Sequence, residues 1–233
     1  PVLDYANDTE FMDAFGAVGI HYPCSAATEH GMAPGLLAAG KKIWASEDWW
    51  SEAEWGGAAC WAKLFNQNFI RSNQTSTISW STIWSVYPAV DGDEGGGDHL
   101  SGDGYWGPGL MYAWQPWSGH YTVPPTVWAS AHTTQFVELG WKMLFSGAGN
   151  LSKGGSYLTM VSPDGADFSV IVETGMAACD HCSFPASDDG AVAQPLVIAL
   201  GGGLATRHTS LSVWLTDETR SFEKQPDATV TEG

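Results

Sequence analysis

Short apolar runs, each ending in a polar or aromatic residue, recur through the first 80 positions, with longer segments of helical spacing between them. The run Ala17-Val18-Gly19-Ile20-His21-Tyr22, closed by Pro23, predicts a strand that ends in His21 and Tyr22. Ahead of it, Asn7-Asp8-Thr9-Glu10 offers N-cap chemistry to a short helix through Phe11–Phe15, which Gly16 stops. After a Gly/Ala loop, Lys41–Glu47 predicts a second strand. From Gly56 to Ile70 the apolar residues Ala59, Trp61, Leu64 and Phe65 have helix-like spacing. Thr75-Ser76-Thr77-Ile78-Ser79-Trp80, rich in β-branched residues, predicts a third strand that ends in a tryptophan. Strands that alternate with helices imply a parallel sheet with its chemistry at the C-terminal ends of the strands.

From Gly140 the texture changes. Gly154–Val161, a Pro163-Asp164-Gly165 turn and Phe168–Glu173 predict an alternating hairpin. Pro195–Leu200 and Leu211–Leu215 predict further strands, so the C-terminal part is expected to be antiparallel β. The polar stretch from Phe222 onward is expected to fray. The expected fold class is α/β followed by all-β, divided between residues 139 and 140.

Composition narrows the function classes. A chain of 233 residues with 44% hydrophobic content is large enough to bury a core. Nine Lys+Arg against 26 Asp+Glu, 9 − 26 = −17, argues against nucleic acid or an anionic membrane as the main partner. A pI near 4.4 fits an acidic compartment. The longest apolar runs fall short of the roughly 18 residues a membrane span requires. With neither a start methionine nor a leader pattern, the chain is expected to be mature or a piece of something longer. Asn7, Asn73 and Asn150 each open a glycosylation sequon. Cys24, Cys60, Cys179 and Cys182 permit three disulfide connectivities, and bridges suit a secretory chain. Cys179-Asp180-His181-Cys182 could instead supply half of a zinc site or a redox pair, but neither Cys24 nor Cys60 offers a second closely spaced Cys or His.

The stretch Lys41-Lys42-Ile43-Trp44-Ala45-Ser46-Glu47-Asp48-Trp49-Trp50 carries the strongest chemical signal. A strand that presents a carboxylate to a tryptophan-walled hollow suits sugar, because indole faces stack on pyranose C–H faces while carboxylates act as nucleophile or acid/base. Glu47 is the candidate catalytic group, the alternative being that Glu47 and Asp48 are solvated charges at a strand end. Thirteen tryptophans in a chain with only 15% charged residues supply both core and lining. The acidic loop Asp91–His99 lacks EF-hand register, with Gly95 where a third ligand belongs, and reads as a solvent loop ahead of a calcium site. A Ser/His hydrolase built on Ser118 and His120 lacks the Gly-x-Ser-x-Gly elbow.

Seven blocks, in order, resemble the galactocerebrosidase family, lysosomal β-galactosidases of galactosylceramide. They are Lys41–Asp48, Gly57–Trp61, Asn66–Ile70, Thr75–Trp80, Pro116–Tyr121, Ala131–Phe136 and Gly154–Tyr157. The resemblance implies the C-terminal portion of a (β/α)8 TIM barrel, about strands six to eight, in residues 1–139, and an antiparallel β-sandwich in 140–233. It implies retaining hydrolysis of β-galactosides, with Glu47 as nucleophile at the end of the seventh strand and no metal or organic cofactor. Gly19–Pro23 would end the sixth strand and bring His21 and Tyr22 to the site; Trp80 and Tyr105 would line the galactose pocket. Cys60 and Cys182 match the family's bridge between barrel and sandwich, which leaves Cys24 and Cys179 as a second pair. A lysosomal or secreted location and a saposin-type activator are implied in the same way.

The chain departs from the family at two points. Phe184 stands where the family has an arginine that reaches substrate, and a phenyl ring cannot replace a guanidinium contact, which leaves the exact substrate open. The family's acid/base glutamate, in an Asn-Glu pair on the fourth strand, has no counterpart in these residues and is expected with the remaining strands, on another segment or chain. A catalytically incomplete sugar-binding or structural relative is the alternative reading.

Overall fold

The computed structural model describes residues 8–23, 34–50, 55–86, 109–114, 116–174, 193–201, 204 and 207–231. Helix α1 (Thr9–Asp13) opens at Asp8, whose carboxylate accepts from the Phe11 N–H. It leads into β1 (Ala17–His21), followed by α2 (Pro34–Ala38), β2 (Lys42–Asp48), α3 (Trp55–Ser72) and β3 (Ser76–Ser79). The three strands form one sheet in the order β1-β2-β3, parallel throughout, as the alternating pattern predicts. Helix α2 falls inside what reads as a Gly/Ala loop. Its Leu36 joins Met12 and Ile43 in a buried cluster with Phe15, Val18 and Ile20, so packing, not propensity, holds that short turn.

Past β3, a second sheet of β4 (Ile83–Val86), β5 (Met111–Trp114) and β6 (His120–Thr122) pairs β4 parallel and β6 antiparallel to β5. Helix α4 (Pro125–Thr134) begins with proline in its first turn, where the missing N–H costs nothing. Sequence pattern shows neither element clearly, because β4–β6 are short and Pro124-Pro125 resembles a turn.

The C-terminal part is antiparallel β. A four-stranded sheet joins β10 (Phe168–Glu173), β9 (Ser156–Val161) and β7 (Lys142–Met143), with β8 (Gly149–Asn150) also on β9. The predicted hairpin is β9–β10, paired Phe168↔Val161 through Glu173↔Ser156. A second hairpin pairs β11 (Ser210–Asp217) with β12 (Arg220–Thr229).

Two expectations in this part are corrected. Residues from Phe222 onward do not fray: they form β12, because Asp217 caps the turn through the Thr219 and Arg220 amides and Thr216 Oγ1 accepts from the Phe222 N–H. One of the ladder's two register shifts falls around Pro226, which has no N–H to donate. Pro195–Leu200 is not a strand; Val197 is 87% exposed, and the run has no ladder partner among the described residues.

Helix α3 ties the two parts together. Trp50, Cys60, Trp61 and Leu64 form a core against Phe65, Leu110 and Ala129, while Phe69 packs into the Leu158, Met160 and Ile171 cluster of the β9–β10 hairpin. The Trp61 indole N–H donates to Ser130 Oγ on α4 at 2.8 Å. Cys60 is disulfide-bonded; Cys24, Cys179 and Cys182 lie outside the described residues.

Candidate functional site

The site forms at the C-terminal end of the parallel sheet, where an irregularity in β2 decides which side chain faces outward. Ile43 and Ala45 are buried on the helix-covered face, and strict alternation would carry Glu47 there next. The register slips instead, between Ile20 and His21 on β1 and between Ala45 and Asp48 against β3. Asp48 therefore takes the buried position at 0% exposure, and the Glu47 side chain stays 24% exposed. Irregularities of this kind are a common way to re-aim a side chain beside an active site.

Two residues from the end of β1 face Glu47. The Tyr22 hydroxyl donates a short hydrogen bond to Glu47 Oε1, and His21 Nδ1 lies 3.6 Å from the same oxygen. Tyr22 adopts φ +49°, a left-handed conformation that costs a tyrosine on the order of 1 kcal/mol, and its own N–H donates to the Glu47 carbonyl at 2.9 Å. Burial, then the bond to Glu47 and the charges of Glu47 and Asp48, push the Tyr22 hydroxyl up to about 12, so it keeps its proton and remains a donor. Trp49 meets the Tyr22 ring edge-on at 6.5 Å.

On the other side of Glu47, the Trp80 N–H donates to the Asp48 carbonyl at 2.9 Å, which sets Trp80 just beyond β3 beside the end of β2. Its indole is 47% exposed and stands edge-on to Trp84 at 5.9 Å. The Trp80–Ser81 peptide is cis. The Asp48 carboxylate turns inward: Oδ1 accepts from the Trp49 N–H and Oδ2 from Asn68 Nδ2 on α3. Asn68 stands in no catalytic motif of the sequence. The signal was present in Asn66-Gln67-Asn68, because three consecutive amides cannot share the solvent face of a helix, and all three are buried.

His21 and Tyr22 thus meet Glu47, and Trp80 is held by its backbone beside the end of β2. Tyr105, Phe184, Asn7, the Asp91–His99 loop and the Cys179–Cys182 segment lie outside the described residues. Asn73 closes α3 at φ +48°, a conformation asparagine tolerates, and Asn150 Oδ1 accepts from Gln67 Nε2 at 2.9 Å. Ser118 Oγ accepts the backbone N–H of His120 rather than meeting its ring. Among the described residues, no group of three or more His, Cys, Asp or Glu side chains is placed to hold a metal ion, and no helix is long and apolar enough to cross a membrane.

Comparison with known proteins adds the family. The profile of glycosyl hydrolase family 59 matches residues 2–135, and that of the glycosyl hydrolase family 59 central domain matches residues 144–231. Human galactocerebrosidase is 35% identical over 217 residues, 93% of this chain and 29% of its own length. The zebrafish (Danio rerio) galactocerebrosidase is 36% identical over 179 residues, 77% of this chain and 24% of its own length. This chain therefore spans about a quarter to a third of the relatives it matches. The crystal structure of a GH30 endoxylanase from Clostridium papyrosolvens C71 aligns with 98% of this chain and 47% of its own at a TM-score of 0.52 and 15% identity, a likeness of fold alone. With a parallel sheet that presents Glu47, antiparallel β behind it and both profiles in order along the chain, the protein belongs to glycosyl hydrolase family 59, the family of the galactocerebrosidases.

Proposed function

We propose that this chain carries the nucleophile half of a retaining β-galactosidase, with a galactosylceramide-like glycolipid as its substrate. The observation that supports this most directly is Glu47, outward-facing at the end of the central parallel strand with Oε1 held by the Tyr22 hydroxyl. A carboxylate oxygen that accepts a hydrogen bond from a phenol is held in one orientation, as a nucleophile requires. Glu47 attacks the anomeric carbon, forming a glycosyl ester as the aglycone oxygen departs with a proton from the acid/base carboxyl. Water, deprotonated by that same group, then opens the ester and returns Glu47 as a carboxylate.

In this reading residues 1–139 are the end of a (β/α)8 barrel and 140–233 a β-sandwich. The acid/base glutamate and the remaining strands come from sequence outside this chain. Trp80 stacks on the sugar, with Tyr105 beside it. Cys60 pairs with Cys182, the sequon asparagines carry glycans, and the protein works in a lysosomal or secreted setting with a saposin-type activator to present the lipid.

The test is a 2-deoxy-2-fluoro-β-galactoside with a good leaving group, applied to the full-length protein and followed by peptide mass mapping. A label on Glu47 that disappears in Glu47→Gln is expected. An unlabelled protein that still binds galactose by calorimetry would overturn hydrolysis in favour of a sugar-binding relative, a reading that Phe184 permits.

A further inference from the structure

We propose that Asn68 is a positioning residue for the reaction, an amide clamp from α3 that sets the spacing between Glu47 and Trp80. The proposal rests on the nucleophile reading of Glu47.

Asn68 is 2% exposed, and its Nδ2 has two acceptors on two different strands. One is Asp48 Oδ2 at 3.0 Å, on β2 and next in sequence to Glu47; the other is Thr77 Oγ1 at 3.2 Å, on β3 and three residues before Trp80. A primary amide has two N–H hydrogens, so one nitrogen can serve both acceptors at once. The hydrogen bond to a buried carboxylate is charge-assisted and correspondingly stiff. It acts beside the irregular stretch of the β2–β3 ladder, between Ala45 and Asp48, and so adds a side-chain tie to the Asp48↔Ser79 pair and the Trp80 N–H bond to the Asp48 carbonyl that hold the strand ends.

Asn68 is itself held in place. Its backbone carbonyl accepts from the Gln74 N–H at 3.1 Å, closing the turn through Asn73 into β3. The two preceding amides anchor the helix on its far side. Asn66 Nδ2 donates to Ser156 Oγ at 3.1 Å and Gln67 Nε2 to Asn150 Oδ1 at 2.9 Å, both in the antiparallel part. Asn66 and Gln67 thus fasten α3 to the antiparallel part, while Asn68 is the one of the three that reaches the strand ends at the site. A displacement of about 1 Å at reacting groups can cost roughly 100-fold in rate, so a clamp of this kind belongs to the chemistry as well as to the fold.

A merely structural amide would lower stability and leave the folded enzyme unchanged, and the experiment separates the two. In the full-length protein, Asn68→Ala is compared with Asn66→Ala, which removes an equally buried amide bonded only toward the antiparallel part. Each is measured well below its melting midpoint for the rate at which the fluorosugar labels Glu47, and for kcat and KM on an aryl β-galactoside. The expected result is that Asn68→Ala labels about 10- to 100-fold more slowly, with the loss in kcat and KM within about 3-fold, while Asn66→Ala melts lower but labels at the wild-type rate. If Asn68→Ala does not fold, Thr77→Val removes one arm of the clamp and is expected to slow labelling by several-fold. Wild-type labelling by whichever variant folds, or equal slowing in Asn66→Ala, overturns the clamp alone. A wild-type protein that takes no label overturns the nucleophile reading and this proposal with it.

Discussion

Tyr22 and His132 show how burial changes what an ordinary side chain can do. Tyr22 keeps its proton, so its hydroxyl donates to Glu47 at any pH where a glycosidase works. Tyr22→Phe removes the hydrogen bond that aims Glu47 Oε1, and the expected loss is about 10- to 100-fold in kcat/KM beside a lowered melting midpoint. Steady-state kinetics on the full-length protein, beside a melting curve, checks it. His132, on α4, has Nε2 2.8 Å from Thr216 Oγ1 and meets Phe222 edge-on at 5.1 Å; burial lowers its pKa below the ordinary 6.5. The unfolded chain therefore binds the proton more readily than the folded one, and the contribution of neutral His132 to stability is whole above about 6.5 and lost as pH falls through the folded value. Urea midpoints are expected to fall on acidification below about pH 6.5, and less steeply in His132→Gln, which stays neutral.

Strand β2 shows what pattern reading cannot see. Alternation along Ile43, Ala45 and Glu47 would bury the glutamate and expose Asp48, and only the slipped pairing with β1 and β3 reverses them. Strand β12 gives the converse lesson, since its polar composition suggests a loose end, yet a capped turn and a ladder partner make it a strand. In β9 the limiting residue lies just before the first pair: Gly155 has φ +90°, and a Cβ there would come within 2.3 Å of the Glu173 carbonyl oxygen. Gly155→Ala is expected to destabilise by more than about 1 kcal/mol, since both the backbone conformation and a backbone atom resist the methyl group. A lowered urea midpoint with unchanged denaturant dependence would be the signature.

Across the whole molecule, α3 and α4 are the joint between the parallel sheet and the antiparallel part. The polar side of that joint is a buried chain in which Asn66 donates to Ser156 and Ser156 donates to Glu173 Oε1 at 2.6 Å. Ser156→Ala deprives a carboxylate that is 6% exposed of one donor and is expected to cost about 1.5–3 kcal/mol of unfolding free energy, read by urea denaturation. The aromatic side is Phe136 and Phe222 with Trp214, which stacks on Phe222 at 4.8 Å. Both sets join residues before position 139 to residues beyond it.

The order of the strands to Trp80 with helices α1 and α3, the β9–β10 hairpin and the meeting of His21 and Tyr22 with Glu47 were legible in the sequence, whereas the short helix α2 was not. Each depends on local periodicity and on the rule that parallel strands present their C-terminal ends together. The resemblance of ordered motif blocks likewise named the family that the profiles match. Only the tertiary structure decided that Glu47 and not Asp48 faces outward, that the polar tail is a strand while Pro195–Leu200 is not, and that Asn68 reaches two strand ends at once. These depend on ladder partners and on contacts between residues far apart in sequence, which no local pattern contains.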